Sequence, residues 1–362
     1  MKRALPILLF FTVTAYAKWL RVPFEGVRPL GMGNAFVALA DDANLLWYNP
    51  AGLAYVKQKH ASLIDLSLGF ESQDTLKRMK DALVNDSYPN LLRPDTQYMS
   101  LGSRPSFLMP FFGFSIFNNL TSFSDIKNLS SLDATVDIAF KNDMGALVAF
   151  AIPFTKYFSV GVSAKIIHRI SADMTLTGND LLAEVQDSQD NFLNAIYSHV
   201  QKISKTGYAL GANVGVLAEL PLQAGMPRVR LAATIEDLGV TTFRPFGTLP
   251  TPDPIPQTYH AGISASFVPQ KDWTLHLSFD ARDCFQRIHW TKMAHLGAEI
   301  KHKFFGLRTG IYQGYPTAGF SLDFAPHTKF HAASVMTELG DGFHERGLRW
   351  YVFQFTVGFN PL

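Results

Sequence analysis

Apolar side chains recur at every second position through most of this chain, the period of a pleated strand with two unlike faces. Between Ser62 and Phe70, Ile64, Leu66, Leu68 and Phe70 fall on one face and Leu63, Asp65, Ser67 and Gly69 on the other. Phe158, Val160, Val162, Ala164 and Ile166 alternate with Gly161, Ser163, Lys165, Ile167 and Arg169. Leu210 to Ala218 and Trp273 to Phe279 repeat the rule. The last segment is the clearest, with Tyr351, Phe353, Phe355, Val357 and Phe359 set against Gln354, Thr356 and Gly358.

Fifteen segments read as strands: 60–70, 97–104, 107–117, 131–141, 144–153, 158–170, 207–220, 229–238, 258–268, 273–282, 292–302, 304–313, 316–324, 328–338 and 347–359. Single-chain bacterial barrels have an even number. The miscount is placed in 97–117, where Pro105 and Pro110 interrupt the pattern, and about fourteen strands are expected. If the last strand ends in the periplasm, the longer connections 171–206, 239–257, 283–291 and 339–346 fall outside. The turns 221–228, 269–272 and 325–327 then fall on the periplasmic side, where barrels keep their short ones. Two segments break the period. Leu181–Ile203 has helix-like apolar spacing and is expected as an amphipathic helix in an outer loop, with Asp74–Val84 a weaker second case.

Composition turns the strands into a membrane barrel. Apolar residues make up 47% of the chain and charged ones 17%, few charges for an exported soluble protein. Yet the longest uncharged window, Pro105–Ser124, is broken by Pro105, Pro110 and Gly113 and does not read as a membrane helix. Backbone in lipid must satisfy its own hydrogen bonds, which leaves helices or closed barrels. Strands of about ten residues reach across a bilayer, and 13% aromatics suit interfacial girdles. A soluble β-sandwich also alternates, but with short strands and polar outer faces.

Residues 1–17 read as a secretory signal peptide, with Lys2 and Arg3, an apolar Leu5–Val13 and the small-x-small site Ala15-Tyr16-Ala17. Removing those two cations takes the formal charge from +2 to 0, which offers nucleic acid no footprint. Cys284 is the only cysteine, so no intrachain disulfide or multi-thiolate metal site is possible. The histidines form no local constellation and no G-x-S-x-G motif occurs. No catalysis, metal or cofactor is expected.

Gly26–Tyr55 lacks strand alternation and is rich in glycine. Asn49-Pro50-Ala51 reads as a helix start, the Asn capping free N–H groups and the Pro at a position needing no donor. Gly31 and Gly33 suit tight turns or close backbone approach. They do not read as a nucleotide loop, because no strand precedes them and the G-x-G-x-x-G spacing is incomplete. Asp41-Asp42 reads as a solvated helix start rather than a metal pair.

The order R-x-x-G-M-G-x-A-F at Arg28–Phe36, A-D-D-A at Ala40–Ala43 and N-P-A-G-L at Asn49–Leu53 resembles the N-terminal hatch of the FadL family of outer-membrane long-chain fatty acid transporters. Leu296-Gly297-Ala298-Glu299 and Leu307-Arg308-Thr309-Gly310 are similar to PorV-type barrels of the wider group. The resemblance implies an all-β, antiparallel transmembrane β-barrel in the bacterial outer membrane. Residues 59–362 would form the barrel, and residues 18–58 a hatch plugging its lumen, with Gly31, Gly33, Asn49, Pro50 and Ala51 as the hatch motif. The implied partners are outer-membrane lipid, the barrel assembly machinery and a hydrophobic ligand such as a long-chain fatty acid.

The implied function is uptake of hydrophobic molecules, long-chain fatty acids foremost, by binding inside the barrel and sideways release through the wall. Pro110 and Gly113 are the candidates for a kinked strand at such a lateral gap, since neither suits a central strand. Lys165 and Arg169 are candidates to meet a ligand carboxylate, with His295 and Lys301 on the same inner face. The preferred reading of these groups is the blander one, structural pairing with Glu299 or lumen water. The alternative is a PorV-like, non-transporting barrel that docks or shuttles for a protein secretion system.

Overall fold

The computed structural model describes residues 25–72, 96–127, 135–177, 203–223, 225–325 and 327–359. The expected signal peptide and the two expected loop helices, Asp74–Val84 and nearly all of Leu181–Ile203, lie outside the described residues. The strands run β1 (His60–Phe70), β2 (Thr96–Ser103), β3 (Ser106–Met109), β4 (Phe112–Lys127), β5 (Thr135–Thr155), β6 (Phe158–Thr177), β7 (Lys205–Glu219) and β8 (Arg228–Glu236). They continue with β9 (Phe243–Pro245), β10 (Thr258–Gln270), β11 (Trp273–Cys284), β12 (Ala294–His302), β13 (Phe305–Tyr312), β14 (Tyr315–Ala325), β15 (Thr328–Glu338) and β16 (Gly347–Phe359). Each wall strand pairs antiparallel with its neighbour in sequence, and β1 pairs β16 from Ala61↔Phe359 to Phe70↔Tyr351, which closes the sheet.

Sixteen strand segments make fourteen wall strands. β2 and β3 both lie between β1 and β4, and the register against β4 is unchanged from Ser103↔Asn118 to Ser106↔Ser115. They are the two arms of one strand, interrupted at Arg104-Pro105, where the proline has no N–H for the ladder. β9 pairs only the upper end of β7. Residues 107–117 are therefore a hairpin and not one strand. Phe107–Met109 completes the interrupted strand, Pro110-Phe111 turns with Phe111 at φ 69°, and Phe112 begins β4. The extra strand of the sequence count does not lie in 97–117, as expected, but at 131–141 and 144–153. Those two segments are one continuous strand, β5, paired without a break through Lys141 to Met144.

The two faces follow the alternation. In β16 the residues Tyr351, Phe355 and Phe359 are exposed while Val352, Gln354, Thr356 and Gly358 are buried. Leu66, Ile152, Leu210, Leu277 and Leu307 likewise stand on the outside. An apolar outer belt with inward small and polar residues is the pattern of a wall that faces lipid. The turns after β3, β5, β10, β12 and β14 are short, so the rim where β1 starts and β16 ends faces the periplasm.

A candidate site inside the barrel

Residues Glu25–Val56 lie almost wholly buried against the inward faces of the wall. They form a short helix α1 (Val27–Gly31), a single turn α2 (Leu45–Tyr48) and a 3₁₀ helix (Pro50–Tyr55). Phe36, Leu39, Leu45, Leu46 and Leu53 pack with Leu108, Phe117, Leu147, Ile167 and Leu217 of the wall. The 3₁₀ helix starts at Asn49, whose Oδ1 accepts the Ala51 N–H at 3.1 Å, with Pro50 in the first turn. The Asn49 amide also donates to the carbonyls of Val37 and Val216, and Ser159 donates to the Ala51 carbonyl.

Glycines on the inner face let this segment approach backbone to backbone. A Cβ on Gly161 would sit 2.2 Å from Ala51 N, and one on Gly215 2.1 Å from Asn49 Oδ1. Gly33, at φ +63°, faces Gly310 and the Leu296 carbonyl just as closely. Gly33 N–H donates to Thr317 Oγ1 at 3.0 Å, and Thr317 Oγ1 donates to the Gly31 carbonyl. Asp280 of β11 accepts the backbone N–H groups of both Phe36 and Val37.

Charge fixes the segment as well. Arg28 bonds Asp41 and Asp42 of its own segment and Glu299 of β12, which also takes Arg308 Nε of β13 at 2.6 Å. Asp42 is buried and Asp41 partly so, so this pair is not the solvated helix start its sequence suggests. Sequence reasoning passed over Arg28 and Arg308 as charged groups, although both stand inside the stretches quoted for the resemblance.

The expected carboxylate partners have other occupations. Lys165 Nζ lies 2.9 Å from Asp237, and Arg169 grips Asp143 with bonds of 2.6 and 2.9 Å, all four buried. Their charges are already matched, so neither is a free cation. His295 binds the Gly33 carbonyl, and Lys301 is half-buried on β12. Above the segment, toward the outer rim, opens a vestibule of about 400 Å³ lined by Glu25, Glu236, His260, Arg282, Tyr312 and Lys292 among others. Arg282, which the sequence reading did not single out, is buried. Its guanidinium reaches the Asn34 carbonyl at 3.5 Å and the Tyr48 ring at 4.8 Å, with no carboxylate oxygen within 4.0 Å among the described residues.

The expected kink at Pro110 and Gly113 is not where the wall breaks. Pro110 is in the turn, and β4 pairs β5 from Phe112 to Lys127 without a register shift, Gly113 opposite Ala149. Gly113 instead makes room for Leu46 and Leu53 of the segment. The discontinuity is one strand away. β1 carries a bulge between Ser62 and Ile64, and the adjoining strand is interrupted at Arg104-Pro105. Across this seam the Arg104 N–H donates to the Asp65 carbonyl at 2.9 Å. Arg104 Nη1 turns inward to Asn44 Oδ1 at 3.2 Å, beside a cavity of about 40 Å³ lined by Trp47, Asp65, Ser106 and Leu108.

No protein-family profile matches the chain, and no curated sequence matches it significantly. Solved structures do. The monoaromatic hydrocarbon channel CymD aligns at a TM-score of 0.51 and 11% identity, over 94% of this chain and 98% of its own. The deltaS2S3 mutant of the monoaromatic hydrocarbon channel TodX gives 0.52 and 12%, over 93% and 99%. The Ralstonia pickettii toluene transporter TbuX gives 0.51 and 11%, over 95% and 100%. At this identity the likeness carries the fold: that of bacterial outer-membrane transport barrels, spanned end to end.

Proposed function

We propose that this chain resides in the outer membrane and passes hydrophobic molecules from the outside to the membrane plane, leaving through the seam between β1 and the β2–β3 strand. The reading rests on one observation: the wall's bulge and proline break coincide, and they adjoin the buried segment through Arg104 and Asn44. The physical logic favours sideways exit. Each buried CH₂ is worth about 0.8 kcal/mol, so an apolar molecule gains nothing by crossing a water-filled channel. The buried segment acts as the hatch, its Asn49-Pro50-Ala51 turn and Gly31 and Gly33 holding it in place. The solved barrels of this fold named as hydrocarbon and toluene channels support the ligand class.

Long-chain fatty acids are the finer proposal. Their carboxylate would be met in the vestibule by Arg282, the buried cation there without an ion pair. Pro105→Val with deletion of Leu63 would restore the ladder across the seam. Uptake of radiolabelled oleate should then fall several-fold with the barrel still folded, as read by heat-modifiable migration on gels. Full uptake by that variant would overturn the route.

A second reading has its own support. The segment is held by backbone contacts and buried ion pairs, and a lumen filled this closely suits a docking or shuttle component of a secretion system. A deletion strain that takes up oleate and toluene normally but loses secreted proteins from its surface would decide for it.

A further inference from the structure

Four of the connections on the periplasmic rim share one arrangement, which those after β3, β7 and β14 lack. The 56–59 connector holds Lys57 and Lys59, the turn after β5 holds Lys156, that after β10 Lys271 and that after β12 Lys303, while Asp272 is the only acid in these four connections. All five lysines are exposed, and none has a carboxylate within 4.0 Å among the described residues. The described outer loops differ, because Arg244, Arg287, Lys292 and Arg346 there stand among Asp237, Asp253, Asp341 and Glu345.

The lysines of the turns come with large apolar neighbours. Lys156 lies over the Tyr157 ring at 4.6 Å beside Phe154, which is 65% exposed, and Lys303 over the Phe304 ring at 5.3 Å. Lys271 follows Val268, 73% exposed, and precedes Trp273. An exposed ammonium set beside an outward aromatic ring suits the boundary between acyl chains and headgroups. Clustered cations at that depth attract anionic lipid. A soluble acidic partner would need the charge without the outward apolar anchors.

We propose that this rim is a collar for anionic phospholipid headgroups of the periplasmic leaflet, gripped by Lys156, Lys271 and Lys303 with their apolar neighbours. The collar orients the barrel in its leaflet and stands independently of what the lumen carries.

The test is native mass spectrometry of the full chain in detergent with an equimolar mixture of phosphatidylglycerol and phosphatidylcholine. Phosphatidylglycerol adducts should outnumber phosphatidylcholine adducts several-fold at low salt and lose that lead in high salt, as exposed charges are screened. The triple variant Lys156→Gln, Lys271→Gln, Lys303→Gln should bind both lipids equally while migrating as a folded barrel. Arg287→Gln with Lys292→Gln, on the other rim, should keep the preference. Equal binding by the natural chain, a preference surviving the triple change, or a preference lost with the outer-rim pair would each overturn the proposal. So would retention of an acidic protein that the triple variant releases, if lipid binding shows no charge preference.

Discussion

Arg28 and Glu299 meet inside the barrel with Nη2 and Oε2 2.5 Å apart, although 271 residues separate them in the chain. Both side chains are buried, and each has a further partner of opposite charge, Asp41 and Asp42 for the arginine and Arg308 for the glutamate. Removing one member of such a group leaves buried charge unmatched, which typically costs about 3–5 kcal/mol. Glu299→Ala, which leaves Arg28 and Arg308 without their shared carboxylate, should destabilise the refolded barrel by about that much. Urea titration in detergent micelles measures it, and an unchanged midpoint would remove this network from the account of how the segment is held.

Gly33 and Gly310 support a second prediction, about seating rather than charge. A Cβ on Gly310 would fall 2.3 Å from Gly33 N and 2.4 Å from the Leu296 carbonyl, so the segment and the wall both obstruct it. Alanine at Gly33 adds the strain of φ +63° to a similar clash. Gly310→Val should disturb β12 and β13 locally, while the distant strands β5 and β6 still form, and keep residues 25–56 from docking. Their hydrogen exchange should then accelerate at least tenfold while β5 and β6 stay protected. If both regions exchange as in the natural chain, the close approach has no energetic weight.

The wall was readable in the sequence because a strand with lipid on one side and the lumen on the other must alternate, as β6 and β16 do residue by residue. The segment was readable in outline from Gly31, Gly33 and Asn49-Pro50, whose conformational demands are local. What escaped was anything decided by closure of the barrel. Pro105 and Pro110 look equivalent in sequence, but one interrupts a strand and the other makes a turn, which depends on where β1 and β4 run beside them. Pairing of Lys165 is legible in the sequence but its partner is not, because Asp237 comes from a loop 72 residues away. Arg282 was missed because a lone arginine at a strand end signals nothing until the vestibule around it exists.

Arg282 and Lys165 therefore separate binding from stability. Arg282→Gln should lower uptake of oleate roughly tenfold, the order of one charge-assisted hydrogen bond, and leave toluene uptake unchanged. Lys165→Met should instead strand the buried Asp237 carboxylate and weaken folding without distinguishing the two ligands. Parallel uptake assays with urea titrations check both. Equal losses of oleate and toluene in Arg282→Gln would remove the headgroup role from this residue.

Glu25 gives the segment a pH response whose sign can be worked out. Burial pushes its carboxyl above the ordinary range, against the pull of Arg282 and of hydrogen bonds from Tyr312 and Asn34. A raised carboxyl pKa means the docked segment prefers the protonated acid. That contribution is fully present below the undocked value of about 4.3 and is lost as pH rises through the higher, docked value. Asp41 works the other way. Burial would raise it, but the adjacent Arg28 prevails and holds it at about 2, so its contribution is lost only as pH falls toward that value. Between pH 4 and 8 the Glu25 effect acts alone of the two. Residues 25–56 should exchange amide hydrogens faster at pH 8 than at pH 5 after correction for intrinsic rates. Glu25→Gln, which cannot ionise, should reduce that difference between pH 5 and pH 8. A variant that keeps the natural chain's slope would show that another group sets it.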